Sequence, residues 1–359
     1  MISISLCMIV KNEEKTLRNC LDSVKEVVDE IIIVDTGSED KTVEIAQEFT
    51  DKVYFYEWKD DFASARNFSF SKATKDFILW LDADDILLPE DKEKLLKRKQ
   101  TLTKEIDMVM LKYNMPTEDG SPFSFYRERL IQNFKDFQWE GRVHEVIPPR
   151  GKILYENIAI THNKQSDAYT DRNLKIYQKM LEDHISFGPR ETFYYARELM
   201  YNDYTLEAIK QFQAFLEMDH AFLENKIEAC LNLNRCYMAL NDKEKAFQAL
   251  VQSFRYDTPR AEICTCIGNF FLEEKQYNQA IYWYKKSLTI FPNPQSGGFI
   301  NYDMYTFIPY LNLCVCYYRL NNLELAEYYN ELAGREKPNS THYLYNKNLF
   351  KVLKYNHKS

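Results

Sequence analysis

The spacing of apolar residues changes once along this chain, and that change limits the folds open to it. Up to about residue 165, short apolar runs alternate with stretches whose apolar residues recur every three or four positions; from about Tyr169 only the helical spacing remains. A strand presents alternate residues to each face and a helix a stripe every 3.6, so the two halves have different architectures. The pattern predicts two domains, residues 1–165 and 166–359, as the length of 359 residues also suggests.

In the first half, strands are predicted at 2–10, 30–34, 53–56 and 77–81, with helices at 13–24, 40–48, 62–72 and 89–103 between and after them. Asp61 suits the N-cap of the third helix and Pro89 the first turn of the fourth. Further strands are expected at 107–112, 125–131 and 153–160. This order predicts an α/β domain of Rossmann-like type, with a mostly parallel sheet whose ligands bind beyond the carboxyl ends of the strands. In the second half a small residue recurs in similar settings at Ala208, Ala246, Ala280 and Ala326, with steps of 38, 34 and 46 residues. Thirty-four is the period of tetratricopeptide repeats, and the longest step contains the Pro/Gly-rich insertion 291–298, so an all-α repeat domain is expected.

Composition removes several classes of function. A net charge of −8 offers no basic field for nucleic acid. No apolar run has the length of a membrane span, and residues 1–10 lead into Lys11-Asn12-Glu13-Glu14 without a cleavage pattern, so a cytoplasmic protein without an integral membrane segment is expected. The eight cysteines lack zinc or redox spacing and read as reduced, small, buried residues. The nine glycines form neither a dinucleotide nor a Walker-type loop, so any bound phosphate is handled by other groups.

The strongest chemical signal is Asp82-Ala83-Asp84-Asp85, directly after the predicted strand 77–81. Carboxylates at a strand end can share a hard divalent cation, and the cation can offset a diphosphate. Two other predicted strands end at the same rim, in Ile9-Val10-Lys11-Asn12-Glu13 and in Val34-Asp35-Thr36-Gly37-Ser38. Asp35 there either accepts from a nucleobase N–H or caps the following helix, a task Ser38 and Asp40 also suit.

Four stretches in this order, Ile9-Val10-Lys11-Asn12-Glu13-Glu14, Ile33-Val34-Asp35-Thr36-Gly37-Ser38, Asp61-Phe62-Ala63-Ser64-Ala65-Arg66-Asn67 and Leu81-Asp82-Ala83-Asp84-Asp85, resemble the GT-A fold glycosyltransferases of family 2 over residues 1–165. The resemblance implies an inverting enzyme with a UDP-sugar donor and Mg²⁺ or Mn²⁺. It also implies residue roles: Ile9, Val10, Lys11 and Glu13 at the uridine, Asp35 on the base, Arg66 beside the nucleotide, Asp82 and Ala83 on the ribose side, and Asp84 on the metal. Lys11 departs from the aromatic residue many relatives carry. By the same resemblance, Glu145 in Gly141-Arg142-Val143-His144-Glu145 is the leading catalytic base, assisted by His144, with Asp119 and Glu140 in reserve; His162 is a further metal ligand.

A family 2 domain followed by tetratricopeptide repeats resembles the peptide glycosyltransferases of the sublancin type, which modify glycocin bacteriocins at cysteine or serine. That layout implies a peptide acceptor, held by the repeats, and a homodimer formed through them. The alternatives are a saccharide or lipid-linked acceptor, a protein such as flagellin, and a non-catalytic scaffold.

Overall fold

The computed structural model describes residues 1–115, 123–163 and 171–356. It separates into two compact units, Met1–Ser186 and Phe187–Ser359. The division falls after the helix Arg172–Glu182, later than residue 165, because that helix belongs with the first unit: its Tyr177 is buried and donates its hydroxyl to the Val143 carbonyl at 3.5 Å.

The first unit is built on an eight-stranded sheet. Its elements are β1 (Ile4–Val10), α1 (Leu17–Val24), β2 (Glu30–Asp35), α2 (Thr42–Gln47), β3 (Val53–Phe55), α3 (Phe62–Phe70), β4 (Phe77–Trp80), β5 (Asp85–Ile86), α4 (Pro89–Thr101), β6 (Met108–Met115), β7 (Phe123–Gln132), β8 (Ile153–His162) and α5 (Arg172–Glu182). The strand order is β3-β2-β1-β4-β7-β6-β8-β5. β3, β2, β1 and β4 are mutually parallel; two antiparallel pairings through β7 return β6 and β8 to the direction of β1. The carboxyl ends of β1, β2, β4 and β8 therefore meet at one edge, as the mostly parallel reading requires.

Alternation along the strands divides the core between two faces. Ile4, Leu6, Met8 and Val10 of β1 pack with Leu17, Cys20, Leu21 and Val24, the buried stripe of α1. Cys7 points the other way and joins Ile78 and Trp80 of β4, Ala63 and Phe70 of α3, and Trp139. Helix α3 starts where Asp61 accepts from the Ser64 N–H at 2.9 Å, the cap the sequence supplied. The two-residue β5 was not expected: a strand this short has no periodicity to read. It pairs Asp85 with His162 of β8 and so brings the acidic turn against the imidazole.

At the opposite edge, the carboxylates of half-buried Asp76 and buried Glu30 tie strand beginnings together. Asp76 accepts from the Ser3 N–H and hydroxyl, both at 2.9 Å, and pairs with Lys104. Lys104 and then Ser3 hold its carboxyl down at about 2. Burial works against ionisation of Glu30, but Lys52, Ser5 and Thr74 outweigh it and bring that group to about 2 as well.

The second unit comprises α6 (Pro189–Tyr201), α7 (Thr205–Leu216), α8 (Leu223–Ala239), α9 (Lys243–Gln252), α10 (Ala261–Glu273), α11 (Tyr277–Ser287), α12 (Phe307–Arg319), α13 (Leu323–Glu336) and α14 (Thr341–Asn356). The first eight form four helix–turn–helix pairs of tetratricopeptide type. Each pair turns through one residue in the left-handed region: Asp203, Asn241, Lys275 or Asn321, with φ of 65°, 57°, 57° and 59°. Ala208, Ala246, Ala280 and Ala326 lie early in the second helix of each pair and are fully buried, so the sequence repeat marks the points of close approach. Gly268 does the same for α10 and α11: a Cβ there would come within 2.5 Å of Tyr284 Cε1.

Two predictions follow from these contacts. Both carboxylates have folded-state values below the ordinary value of about 4. Their stabilisation is therefore complete above that value and lost as pH falls toward about 2. Glu30→Gln/Asp76→Asn is expected to lower the urea midpoint at pH 7 and flatten its dependence on pH between 5 and 2, followed by tryptophan fluorescence. In the second unit, Gly268→Ala is expected to cost about 1–3 kcal/mol through overpacking, measured by the same denaturation.

Candidate active site

Arg66 is the centre of the strand-end edge. It lies in α3, 8% exposed, with its guanidinium carbon 5.2 Å from the Trp80 ring centroid and 4.9 Å from that of Trp139. Its Nε donates to Glu145 Oε1 and its Nη2 to Asp82 Oδ1, each at 2.7 Å. Burial opposes the charge of Arg66, but the two carboxylates outweigh it and raise the guanidinium further above its ordinary value. Burial also opposes the Asp82 carboxylate, yet Arg66 and then Arg129 hold that group down at about 2. One buried cation thus joins two predicted site residues from distant parts of the chain.

The segment carrying Glu145 is an arch pinned by α3. The Asn67 side chain accepts from the Trp139 N–H at 2.8 Å and donates to the Trp139 carbonyl at 3.0 Å. The Phe62 N–H donates to the Arg142 carbonyl at 2.8 Å, and Glu140 and Val146 close the arch by exchanging backbone hydrogen bonds. Gly141 supplies a φ of 91° that a side chain would strain, and His144 itself stands at 52°. The His144 ring stacks on Tyr177 with centroids 6.5 Å apart.

Asp84, Asp85 and His162 converge beside this arrangement, and each can offer a ligand atom within 4.8 Å of the others. His162 Nδ1 is 3.5 Å from Asp84 Oδ1, 3.8 Å from Asp85 Oδ1 and 3.0 Å from the Tyr113 hydroxyl. The nearby carboxylates, Asp84 first and then Asp85, raise the imidazole to about 9. Asp85 is fully buried, and its Oδ1 has no hydrogen-bond partner among the described residues. An orphaned buried carboxylate oxygen beside a second carboxylate and an imidazole fits a divalent cation that accepts oxygen and nitrogen ligands.

Arg66, Asp82, Glu145, Asp84 and His162 line an open cleft of about 450 Å³, with Asp85 buried behind its wall. Of the residues expected from sequence, Ile9, Val10, Lys11, Glu13, Arg66, Asp82, Ala83, Asp84, His144, Glu145 and His162 all reach it. Asp35 does not: its carboxylate turns back to accept from the Gly37 N–H at 3.0 Å and the Ser38 N–H at 3.2 Å, the local turn-forming role. Glu140 is exposed at the foot of the arch, and Asp119 lies outside the described residues. Sequence reasoning missed Trp58, Phe62, Arg127 and Arg172, which also line the cleft. Arg127 had no motif to mark it; the Trp58 and Phe62 rings, 4.7 Å apart, flank the Asp61 cap already singled out.

A mostly parallel α/β sheet with an acidic turn and an arginine-clamped carboxylate pair at its strand-end edge is typical of a GT-A domain. Residues 5–159, most of the first unit, match the family described as Glycosyl transferase family 2. Among curated relatives, a TPR repeat-containing protein of Synechococcus elongatus is 39% identical over 148 residues, 41% of this chain and 36% of that protein. The SPbeta prophage-derived glycosyltransferase SunS of Bacillus subtilis is 33% identical over 220 residues, 58% of this chain and 51% of SunS. The chain thus spans about half the length of these relatives or less. Among solved structures, S. aureus TarS 1-349 in complex with UDP-GlcNAc aligns over 71% of this chain and 92% of that one, with a TM-score of 0.41 and 14% identity.

Removing the central cation leaves two carboxylates unpaired, Glu145 largely buried and Asp82 partly exposed. Arg66→Met is expected to destabilise the first unit by about 3 kcal/mol, measured by urea denaturation, and Arg66→Lys by less because a charge remains.

Proposed function

We propose that the chain is a metal-dependent, inverting glycosyltransferase that moves a hexose or N-acetylhexosamine from a UDP-sugar to a cysteine or serine side chain of a peptide. The observation that carries this reading is the convergence, at one cleft, of Asp84 and His162, backed by buried Asp85, with the Arg66-clamped pair Asp82 and Glu145. A divalent cation held by the first three would offset the charge of the leaving diphosphate.

In this reading Ile9, Val10, Lys11 and Glu13 bind the nucleoside, and Asp82 and Ala83 lie on its ribose side. The acceptor sulfur or oxygen bonds to the anomeric carbon as the bond to UDP breaks, and Glu145 takes the acceptor proton, with His144 beside it. Glu145 commits Oε1 to Arg66. A thiol is more acidic than a hydroxyl and makes the lighter demand on such a base, which favours cysteine over serine. The helical unit supplies paired helices suited to holding an extended peptide or to pairing two chains. All eight cysteines are free, as a chain kept in the cytoplasm would have them, and no helix among the described residues is long and apolar enough to cross a membrane.

The test is mass spectrometry of cysteine- and serine-containing peptides after incubation with the full chain, Mn²⁺ and a panel of UDP-sugars. A gain of one hexose or N-acetylhexosamine is expected. Asp84→Ala and Glu145→Gln are each expected to slow transfer about 100-fold or more while leaving the circular dichroism spectrum unchanged. Full turnover by Asp84→Ala would overturn the metal assignment. UDP release above the Asp84→Ala background without any peptide product would move the acceptor to a saccharide or lipid carrier.

A further inference from the structure

Arg129, on β7, belongs to no motif and does not line the cleft, yet it is fully buried against fully buried Asp85. Its Nη1 donates to Asp85 Oδ2 at 2.8 Å and to the Trp80 carbonyl at 3.2 Å. The same Oδ2 accepts from the Asp82 N–H at 3.0 Å. The guanidinium carbon lies 3.8 Å from the Trp80 ring centroid and 4.5 Å from that of Tyr113.

Stability alone is a poor account of this pair. Burying two charges costs more than well-packed apolar residues of similar volume usually would, and here the cost is enlarged: Arg129 Nε and Nη2 have no hydrogen-bond partner among the described residues. The pair does, however, fix a direction. Both hydrogen bonds to Asp85 fall on Oδ2, which leaves Oδ1 facing His162 Nδ1 at 3.8 Å. Tyr113, whose ring packs on the guanidinium, places its hydroxyl 3.0 Å from the same nitrogen. Arg129 therefore bears on two of the three groups of the candidate cation site from behind.

We infer that Arg129 is a positioning residue for that site: by holding Oδ2 of Asp85 and packing on Tyr113, it presets Asp85 Oδ1 and His162 Nδ1 to take one divalent cation together with Asp84. The inference rests on the metal-dependent reading above and adds to it a residue that never touches the ion. Groups that orient metal ligands from outside typically change metal affinity by about 10–100-fold when removed.

The experiment is a titration of the full chain with Mn²⁺ alone, reading free Mn²⁺ by electron paramagnetic resonance without nucleotide or acceptor. Arg129→Gln keeps a donor of similar reach but removes the charge and the planar fork; its Kd for Mn²⁺ is expected to rise at least tenfold. Arg129→Lys, which keeps the charge, is expected to recover part of that loss. Near-UV circular dichroism reports whether each variant keeps its packing. Should Arg129→Gln fail to fold, Arg129→Lys and the charge-free double variant Arg129→Met/Asp85→Asn carry the test. The double variant is then expected to bind Mn²⁺ more weakly than Asp85→Asn alone. A folded Arg129→Gln that binds within twofold of wild type, or a double variant equal to Asp85→Asn, overturns the positioning role and leaves the metal assignment standing. A wild-type chain that takes up no Mn²⁺ overturns both.

Discussion

A guanidinium buried between two indole rings organises the first unit's strand-end edge. Arg66 can occupy that slot because Trp80 and Trp139 present aromatic faces to it and because Asp82 and Glu145 offset its charge. The dependence runs both ways. Asp82 is held as an anion by Arg66, and Glu145, 79 residues further along the chain, is held at the cleft by the same side chain. Asn67, the next residue of α3, then clamps the backbone of Trp139, so one turn of helix fixes the roof of the arginine slot and the arch that bears the carboxylate.

What the sequence made legible follows from the range over which each feature acts. Strand ends, the Asp61 cap and the Asp82–Asp85 turn are local, and a parallel sheet brings local strand ends to one edge without further information. Arg66 and Glu145 were both singled out, but their pairing was not, because nothing in either segment encodes a contact between them. Asp35 was read as accepting from a nucleobase at the rim or as a cap; it ends β2 as expected but is buried, and the neighbouring Gly37 and Ser38 amides take up its carboxylate. Arg129 was invisible for a related reason: on an antiparallel strand an arginine ordinarily marks a solvent face, and only the insertion of β7 beside β4 buries it.

The helical unit shows the opposite balance. Its repeat was legible from four alanines, since helices can approach closely only where side chains are small, and the fully buried Ala208, Ala246, Ala280 and Ala326 sit at those points. The left-handed turn residues were not, because Asp203, Asn241, Lys275 and Asn321 share no single residue type. The long step between Ala280 and Ala326 has its explanation in the insertion. Gly298 there leaves room for Glu224, and Asn301 and Tyr305 both donate to Glu262, so the extra chain is tied back onto α8 and α10.

The charges at the cleft are unevenly compensated. Asp82 and Glu145 share Arg66, and Asp85 has Arg129. Arg127 lines the cleft but is drawn to Glu128. Glu13 and Asp84 have no arginine or lysine ion pair among the described residues, and Glu13 is raised first by burial and then by the nearby charges of Asp84 and Asp82. Beside Asp84 stands His162, whose positive charge Asp84 and Asp85 favour, raising the imidazole to about 9. A divalent ion would supply twice that charge and use the nitrogen the proton occupies, making proton and metal alternatives at one position. The arginines neutralise Asp82, Glu145 and Asp85; the corner they leave uncompensated is the one formed by Glu13 and Asp84.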